Sequence, residues 1–557
     1  MILSILLAAS VLPLTFAGSL PKKSQGGPVV RLPYVTAVGS SANNVESFIG
    51  IPFAQPPVGQ LRLKPPQPIN TRLGTIQATG VPLACPQQGS LTIPDIPGVP
   101  IGPGNQTLPA GEDCLTLNVQ RPCSANRHSR LPVIFWIYGG AFEQGATQQY
   151  DATQLINSSV VQGKEFIYVA ANYRLGAFGF LPGSKVLVDG SSNLGLLDQR
   201  LALQWVADNI ASFGGDPSQV TIWGQSAGSM SVMHQMALYK GDNRYKGRAL
   251  FRGAIMDSGG ITPADPVDCP RAEAVYDQVV KAAGCANAAD SLACLRSINY
   301  TTFYNAATTL PGLGTNSAVA LSYRPRPDGL VLTESTDVLV KKGQYAKVPF
   351  IIGDQEDEGT LISLIQTNIT TTDQLIDYSH TFMFRDATRT QVANFINLYP
   401  DNPAAGSPFR TGDLNNLYPQ YKRIAAISGD VAFSLQRRNL LQFASAVNPH
   451  TPTWSYLATY YYGTPILGTY HSSDIPVVYG LLGGELPIPT STIQSFYLSF
   501  VKYLDPNVGV EGLPNWPQWT DGNKLMNFSA TANTLIPDTF RLAASNYLAA
   551  QAPSFNL

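Results

Sequence analysis

Val220-Thr221-Ile222-Trp223-Gly224-Gln225-Ser226-Ala227-Gly228 is the stretch of sequence that decides the fold. Its first four residues are an apolar run that predicts a buried strand, and a helical pattern begins at Ser226 and continues through Met236. The Gly-x-Ser-x-Gly pattern between them predicts a turn too tight for side chains beside the serine. Such a turn places the Ser226 hydroxyl at a helix N-terminus, where developing negative charge is stabilised. An ordinary glycine turn would fit the five residues alone, but the strand–turn–helix setting favours a nucleophilic serine.

Other apolar runs, rich in Val, Ile and aromatic residues, predict further buried strands at Leu131–Tyr138, Glu165–Ala171, Ala249–Met256, Val348–Ile352 and Trp454–Tyr461. A helical pattern covers Gly195–Ile210. Strands that alternate with helices predict an α/β fold, with a large and mostly parallel central sheet flanked by helices. Ligand sites in such sheets lie beyond the carboxyl ends of the strands, so the chemistry is expected at that edge.

The composition predicts one large globular unit. At about 150 residues per domain, the 557-residue length would allow three or four domains, but no linker, charge block or repeat marks a boundary. We therefore expect a single domain over residues 18–557. Hydrophobic residues make up 44% of the chain and charged residues 13%, which suits an extensive core. With 36 basic and 37 acidic residues and no basic stripe, nucleic-acid binding has no electrostatic basis.

The N-terminus predicts secretion. Residues 1–17 are an apolar run, too short to span a bilayer, that ends in small residues near Ala17, as a signal peptide does. No later segment resembles a transmembrane helix. Secretion also suits the six cysteines, whose pairing has 15 possible patterns, and a metal site is disfavoured because no Cys-x-x-Cys is present. Candidate glycosylation sequons are at Asn105, Asn157, Asn299, Asn368 and Asn527.

A second glycine-rich segment follows the strand predicted at Leu131–Tyr138. There the chain reads Gly139-Gly140-Ala141-Phe142, and small residues at the end of a strand let backbone amides approach a substrate oxygen. The amides of Gly140 and Ala141, with that of Ala227 after the serine, predict a three-donor oxyanion hole. A simple glycine-rich turn would fit these residues equally well, and the pairing with the serine turn favours the oxyanion hole.

The general base is chosen by elimination among five histidines. In hydrolases with this serine turn, the acid and then the histidine follow the serine along the chain. His471 follows the strand at Trp454–Tyr461 and is the candidate. The other four are disfavoured. His128 precedes the serine, and His234 lies roughly 12 Å along the helix that follows it. His380 falls in a helical pattern, and His450 precedes a strand.

The acid is expected after the strand at Val348–Ile352, where Asp354-Gln355-Glu356-Asp357-Glu358-Gly359 follows. Four carboxyl groups lie within this run. Position alone leaves all four open, and an acidic run is often only a solvated loop.

Several motifs resemble the type-B carboxylesterase/lipase family, in particular its fungal branch of Candida rugosa-like lipases and sterol esterases. They include Phe48-Ile49-Gly50-Ile51-Pro52-Phe53-Ala54, Glu112-Asp113-Cys114-Leu115, Asn172-Tyr173-Arg174, Asn193-Leu194-Gly195-Leu196-Leu197-Asp198-Gln199-Arg200 and Arg324-Pro325-Arg326-Pro327-Asp328-Gly329. The similarity covers nearly the whole mature chain. It implies the α/β-hydrolase fold and cleavage of hydrophobic carboxylic esters, triacylglycerols or steryl esters, without metal or organic cofactor.

The resemblance also implies individual roles. Glu358 is then the acid and His471 the base, and Ser258 supplies a hydroxyl to the acid. The implied disulfides are Cys85–Cys114 and Cys285–Cys294, and whether the remaining Cys123 and Cys269 pair stays open. Two positions depart from the family pattern, because Gln225 stands where glutamate is frequent and Ala141 where related lipases often have a third glycine.

The segment 86–113, closed by the first implied disulfide, resembles the lid of these lipases, although a permanently packed loop is the alternative. A movable apolar lid would meet a lipid–water interface and could support reversible homodimers. Met230, Phe142, Leu361 and Ile362 are expected to line an acyl pocket or else belong to the core.

Two other functions remain to be weighed. A carboxylesterase of small soluble esters would use the same residues. A non-catalytic, cholinesterase-like binding protein would lack a member of the set Ser226, Glu358 and His471, all of which are present here.

Overall fold

The fold was analysed in a computed structural model that describes residues 26–88 and 108–556. The predicted signal peptide, residues 1–17, and most of the predicted lid lie outside the described residues. No helix in the described part of the chain is long and apolar enough to span a membrane.

Sixteen strands are formed by the described residues. In chain order they are β1 Val29–Arg31, β2 Val35–Val38, β3 Ser40–Ala42, β4 Val45–Pro52, β5 Gly74–Gln77, β6 Thr116–Pro122, β7 Leu131–Ile137, β8 Ile167–Ala171, β9 Gly215–Gln225, β10 Arg244–Tyr245, β11 Arg248–Ala249, β12 Gly253–Asp257, β13 Phe350–Gln355, β14 Thr453–Ala458, β15 Lys524–Phe528 and β16 Asn533–Pro537.

Sixteen α-helices accompany them within the described ranges. They are α1 Thr153–Val161, α2 Gly176–Phe180, α3 Ser184–Asp189, α4 Leu194–Asn209, α5 Ala227–Gly241, α6 Pro270–Ala282, α7 Ser291–Ser297, α8 Tyr300–Ala307, α9 Thr336–Lys341, α10 Thr372–Tyr378, α11 Arg389–Ile396, α12 Tyr421–Gly429, α13 Leu435–Val447, α14 Asp474–Tyr479, α15 Pro487–Tyr503 and α16 Leu542–Ala550. Two π-helical turns, Ser379–Met383 and Asp430–Ser434, follow α10 and α12 directly.

An eleven-stranded sheet forms the centre, in the order β16-β15-β14-β13-β12-β9-β7-β8-β6-β4-β3. From β15 to β8 all neighbouring strands are parallel, and the strands at both edges pair antiparallel. A separate three-stranded sheet has the order β1-β2-β5, and β10 and β11 form a hairpin. The predicted mostly parallel sheet is therefore confirmed.

The inner strands are buried on both faces. Every residue of β8, β12, β13 and β14 is buried, which explains their continuous apolar sequences. The main core surrounds the sheet, and a second core packs mainly around the helices α10 to α13 and α16. The carboxyl ends of β9, β13 and β14 therefore meet at one edge of a rigid sheet.

Each predicted strand has a counterpart, with shifted bounds. The run Ala249–Met256 is the exception, because it covers the end of the β10–β11 hairpin and most of β12, which are separate elements. The helix predicted from Ser226 begins one residue later, at Ala227, and leaves helical geometry at Leu238. Ser226 itself has the non-helical conformation required by the turn.

Candidate active site

The turn between β9 and α5 is as tight as the sequence predicts. Ser226 has φ of 58° and ψ of −128°, an unfavourable conformation for a residue with a side chain. A Cβ on Gly224 would collide with the backbone of Gly228, and a Cβ on Gly228 would collide with the carbonyl oxygen of Ile137. Only glycine at both positions lets the serine project from the sheet edge.

Ser226, His471 and Glu358 form a hydrogen-bonded chain. The Ser226 Oγ lies 2.8 Å from the His471 Nε2. The His471 Nδ1 lies 2.5 Å from Glu358 Oε2, and the other Glu358 oxygen accepts a 2.8 Å hydrogen bond from the Gln355 amide. Glu358 is 1% exposed, while Ser226 and His471 are each 9% exposed, so the carboxylate is the most deeply buried of the three.

Asp357 ties the loop of Glu358 to the loop of His471. Its carboxylate accepts hydrogen bonds from the Ser407 hydroxyl at 2.8 Å and from the amides of Phe409 at 2.8 Å and Thr469 at 2.9 Å. Burial, with a contribution from neighbouring Glu356, raises the pKa of Asp357 to about 7. The three bonds hold together segments that are far apart in sequence.

Phe433 packs on the imidazole of His471. The two rings are nearly parallel, at 26°, with centroids 4.4 Å apart. No sequence pattern pairs these two residues. Phe433 lies in a helical stretch, and the π-helical turn that contains it has no recognisable sequence signature. This contact was not predicted.

A buried polar cluster lies beneath the serine. The amide of Ser226 donates to the backbone oxygen of Asp257 at 2.9 Å. The Asp257 carboxyl accepts from Trp223 Nε1 and the Tyr497 hydroxyl, both at 2.6 Å, and from the Tyr456 hydroxyl at 3.0 Å. Burial raises the pKa of Asp257 to about 6 despite these donors.

Gln225 is directed toward the histidine loop. Its side-chain nitrogen donates a 2.9 Å hydrogen bond to the Ser472 hydroxyl, next to His471. The neutral amide therefore occupies the position where the family pattern often has a carboxylate, and it contributes a donor instead of a charge.

The segment predicted to stabilise an oxyanion lies beside the serine. A Cβ on Gly139 would come within 2.8 Å of the Ser226 Cβ, so the chain after β7 passes close to the turn. The amides of Gly140, Ala141 and Ala227 donate no hydrogen bond to any other described residue. Ala141 has φ of 59°, a conformation that glycine would adopt with less strain. Three unpaired amides near a serine are chemically suited to bind an anionic oxygen.

The four residues expected at an acyl pocket have different neighbours. Phe142 is buried and packs edge-on against Phe180 at 5.2 Å. Met230 is partly buried against the main core and Leu361 against the second core, and Ile362 is also partly buried. Their role in substrate binding stays a prediction.

His234 lies in α5, near Phe142, and is not part of the hydrogen-bonded chain formed by Ser226, His471 and Glu358. Its Nδ1 is 2.7 Å from the carbonyl oxygen of Met230, one turn earlier in α5. Burial lowers the pKa of His234 to about 4, which keeps the ring neutral.

One expectation needs correction, and one open question is answered. The hydroxyl of Ser258 is buried and has no hydrogen-bond partner among the described residues, so it does not support Glu358. Glu358 takes its second bond from the Gln355 amide because the chain turns back within the same loop. Cys123 and Cys269 do not pair, since both are free thiols. The disulfides Cys85–Cys114 and Cys285–Cys294 are confirmed.

A parallel sheet with helices on both faces and a serine on a strained strand-to-helix turn define the class of α/β hydrolases. The sequence profile of the Carboxylesterase family matches residues 27–546. The chain therefore belongs to the carboxylesterase family, which confirms the resemblance and the predicted class of enzyme, a carboxylic ester hydrolase.

Fungal lipases are among the most similar relatives. Secreted lipase 1 of Botryotinia fuckeliana is 54% identical over 535 residues, covering 94% of this chain and 93% of the relative. Secreted triacylglycerol lipase LIP1 of Gibberella zeae is 52% identical over 535 residues, covering 94% and 90%. Lipase 4 of Diutina rugosa is 43% identical over 533 residues, covering 93% and 95%. The predicted secretion is in agreement with the first two relatives.

Solved structures of esterases share the fold. EstA of Aspergillus niger superposes with a TM-score of 0.81 at 26% identity, covering 96% of this chain and 99% of that structure. A PNB esterase superposes with a TM-score of 0.73 at 26% identity, covering 93% and 99%. The α/β-hydrolase fold class is thereby confirmed.

Proposed function

We propose that the protein hydrolyses carboxylic esters through an acyl-enzyme, with Ser226 as nucleophile, His471 as general base and Glu358 as the acid that orients the imidazole. The observation that carries the proposal is the unbroken hydrogen-bonded chain, at 2.8 Å from Ser226 to His471 and 2.5 Å from His471 to Glu358. Buried Glu358 stabilises the imidazolium that forms when the histidine takes a proton.

In the first half-reaction, Ser226 Oγ forms a bond to the ester carbonyl carbon while its proton passes to His471 Nε2. The carbonyl oxygen becomes an oxyanion, which the amides of Gly140, Ala141 and Ala227 bind. Losing one such donor typically costs about 3 kcal/mol of transition-state stabilisation. The carbon–oxygen bond to the alcohol then breaks, and the alcohol leaves with the proton held by His471.

In the second half-reaction, water replaces the alcohol. His471 removes a proton from the water as its oxygen attacks the acyl carbon, and the same amides bind the second oxyanion. When the bond to Ser226 Oγ breaks, the proton returns to the serine and the carboxylic acid is released.

The test is Ser226→Ala. Hydrolysis of a chromogenic ester should fall about a thousandfold or more, because attack by the serine is lost while binding groups remain. Ser159→Ala is a matched control, since Ser159 is also buried but only donates to the Ile156 carbonyl within α1. Unchanged hydrolysis by a folded Ser226→Ala protein would overturn the proposal.

We propose hydrophobic esters as substrates, either triacylglycerols or steryl esters. Support comes from the relatives named as lipases and from the apolar residues near the serine, Phe142 and Met230. The second candidate, small soluble esters, is supported by the similarity to solved esterases.

A substrate panel separates the two candidates. Rates on emulsified triacylglycerol and on dispersed steryl ester are compared with rates on a short soluble ester, with and without detergent. A lipase should gain activity when its substrate forms an interface. Highest activity on the dissolved short ester, unaffected by the interface, would favour the second candidate.

We further propose that residues 1–17 are removed as a signal peptide, that residues 18–557 form one catalytic domain, and that segment 86–113 is its lid. The Cys85–Cys114 disulfide supports the last point because it closes this segment at its base. N-terminal sequencing of the secreted protein tests the cleavage. Glycosylation and reversible dimers also stay predictions, and of the described sequons Asn299 and Asn368 are exposed.

A further inference from the structure

A continuous helical segment, residues 421–447, packs beside the site and contains an irregular turn. Helix α12 continues without a break into the π-helical turn Asp430–Ser434 and then into α13. Gly429 and Ser434, at the two junctions, both keep right-handed helical geometry. A π-helical turn is less favourable than the α-helix it interrupts and often occurs at functional sites. Its position therefore calls for a functional reason.

The turn directs one side chain at the histidine. Phe433 lies within it, is 4% exposed, and stacks on the face of His471 at a centroid distance of 4.4 Å. The earlier end of the turn is anchored because Asp430 accepts hydrogen bonds from the Tyr399 hydroxyl at 2.7 Å and Arg541 Nε at 2.5 Å.

Helix α13, which follows the π-helical turn, is anchored as well. Arg437, one helical turn after Phe433, is fully buried and donates to Asp354 at 2.7 Å and to Asp538 at 2.8 Å. With both sides of the turn held by buried ion pairs and hydrogen bonds, the Phe433 ring has little freedom to leave the imidazole.

The hydrogen bonds of the His471 ring are made at its two nitrogens and leave one motion unrestrained. Glu358 contacts Nδ1, and Ser226 and, at 3.5 Å, the Gln225 side-chain nitrogen contact Nε2. Contacts at these two atoms allow the ring to tilt about the line that joins them. An aromatic ring stacked on the face opposes this tilt. The face of a phenyl ring is also negative and attracts a cation, whereas a neutral imidazole gains much less.

We propose that Phe433 is a positioning residue for the reaction, which holds the plane of His471 and stabilises the imidazolium that forms during attack. The inference rests on the proposed function, because only a proton-accepting His471 becomes charged. Stabilisation that exists only in the charged state lowers the barrier without tightening substrate binding, so it should affect kcat and leave KM unchanged.

The decisive experiment replaces Phe433 with phenylalanine analogues carrying one, two or three ring fluorines. Fluorine weakens the negative face in steps and changes the shape of the ring little. We expect kcat to fall progressively, by a total between about 2-fold and 30-fold, with KM constant. An equal kcat across the series would overturn the proposal, since a purely steric role is indifferent to ring charge.

Conventional variants supply a second measurement. Phe433→Trp should retain most of kcat because it offers an aromatic face. Phe433→Leu removes that face and should lower kcat. Phe303→Leu is the matched control, since Phe303 is a buried phenylalanine that packs against Phe178 at 4.6 Å. Retained kcat in Phe433→Leu would contradict the inference. Activity that survives Ser226→Ala would instead refute the proposed function, so the two failures are distinguishable.

Discussion

Four carboxyl groups lie within five positions at the end of β13 and directly after it, and each has a different partner. Asp354 accepts from Arg437 Nε at 2.7 Å, Glu356 from Arg410 Nε at 2.9 Å, and Asp357 from the Ser407 hydroxyl at 2.8 Å. Glu358 alone of the four contacts the imidazole of His471. Position alone left these residues equivalent, because their identities and spacing say nothing about the segments they will meet, and only the family resemblance implied Glu358.

Glu143, next to Phe142, is a buried carboxyl with an unusual ionisation. One oxygen accepts a 2.7 Å hydrogen bond from the Leu313 amide, and the other has no partner among the described residues. Burial raises the pKa of Glu143 to about 8, so the folded protein holds it neutral at pH 7. An unfolded chain would release this proton above pH of about 4.5.

We expect Glu143→Gln to become more stable than the wild type as the pH rises. The raised pKa contributes stability that is complete below pH of about 4.5 and is lost as the pH approaches about 8. Glutamine does not titrate, so the difference in free energy of unfolding should grow over this window to a few kcal/mol, at about 1.4 kcal/mol per unit. Denaturant unfolding at several pH values measures it, and a pH-independent difference would contradict the expectation.

At the level of elements, α12 packs directly on the loop of Glu358. A Cβ on Gly359 would collide with the carbonyl oxygen of Ala425 and come within 2.6 Å of the Gly429 amide nitrogen. A Cβ on Gly429 would come within 3.2 Å of the Glu358 Cβ. Glycines on both sides therefore allow backbone-to-backbone contact, and the helix fixes the position of the acid.

Gly359→Ala should accordingly separate the helix from the loop and displace Glu358. We expect a loss of about 1–3 kcal/mol in stability from overpacking and at least a tenfold lower kcat. Gly80→Ala is the control, because a Cβ there meets nothing within 4 Å. Thermal unfolding and ester hydrolysis measure both effects. Wild-type kcat in Gly359→Ala would show that the acid does not depend on this contact.

The π-helical turn marks a limit of prediction at this scale. Helical patterns predict α4 and α5, and continuous apolar runs predict the buried inner strands, because both signals act over a few neighbouring residues. One extra residue in a helical turn leaves no recognisable pattern in the sequence. The stacking of Phe433 on His471 is therefore visible only in the folded chain.

At the scale of the whole molecule, a buried ion network joins the C-terminal region to the sheet. Asp538, just after β16, accepts from Arg437 Nη2 and Arg438 Nη2, both at 2.8 Å. Arg437 also pairs with Asp354 at the end of β13. The side chains in the network are at most 1% exposed, so removing one charge would leave others buried and incompletely paired.

Asp538→Ala should lower the free energy of unfolding by about 3–5 kcal/mol, since the loss of one member of a buried pair is far more costly than the loss of a surface pair. Asp377→Ala is the comparison, because Asp377 pairs with Arg389 at the surface, and no measurable change is expected there. Denaturant unfolding compares the two. Equal stability of the two variants would show that the network does not anchor the C-terminal region.

Local patterns in the sequence by themselves determined the serine turn, the parallel sheet and, through elimination, His471, because glycine sterics and apolar spacing act over a few residues. The tertiary structure places Glu358, the carboxylate implied by the family resemblance, against His471, and it alone decided that Ser258 does not support Glu358 and that Phe433 stacks on the ring. The contact between Glu358 and His471 joins residues 113 positions apart. Contacts between distant residues depend on how whole helices and loops pack, which no short stretch of sequence encodes.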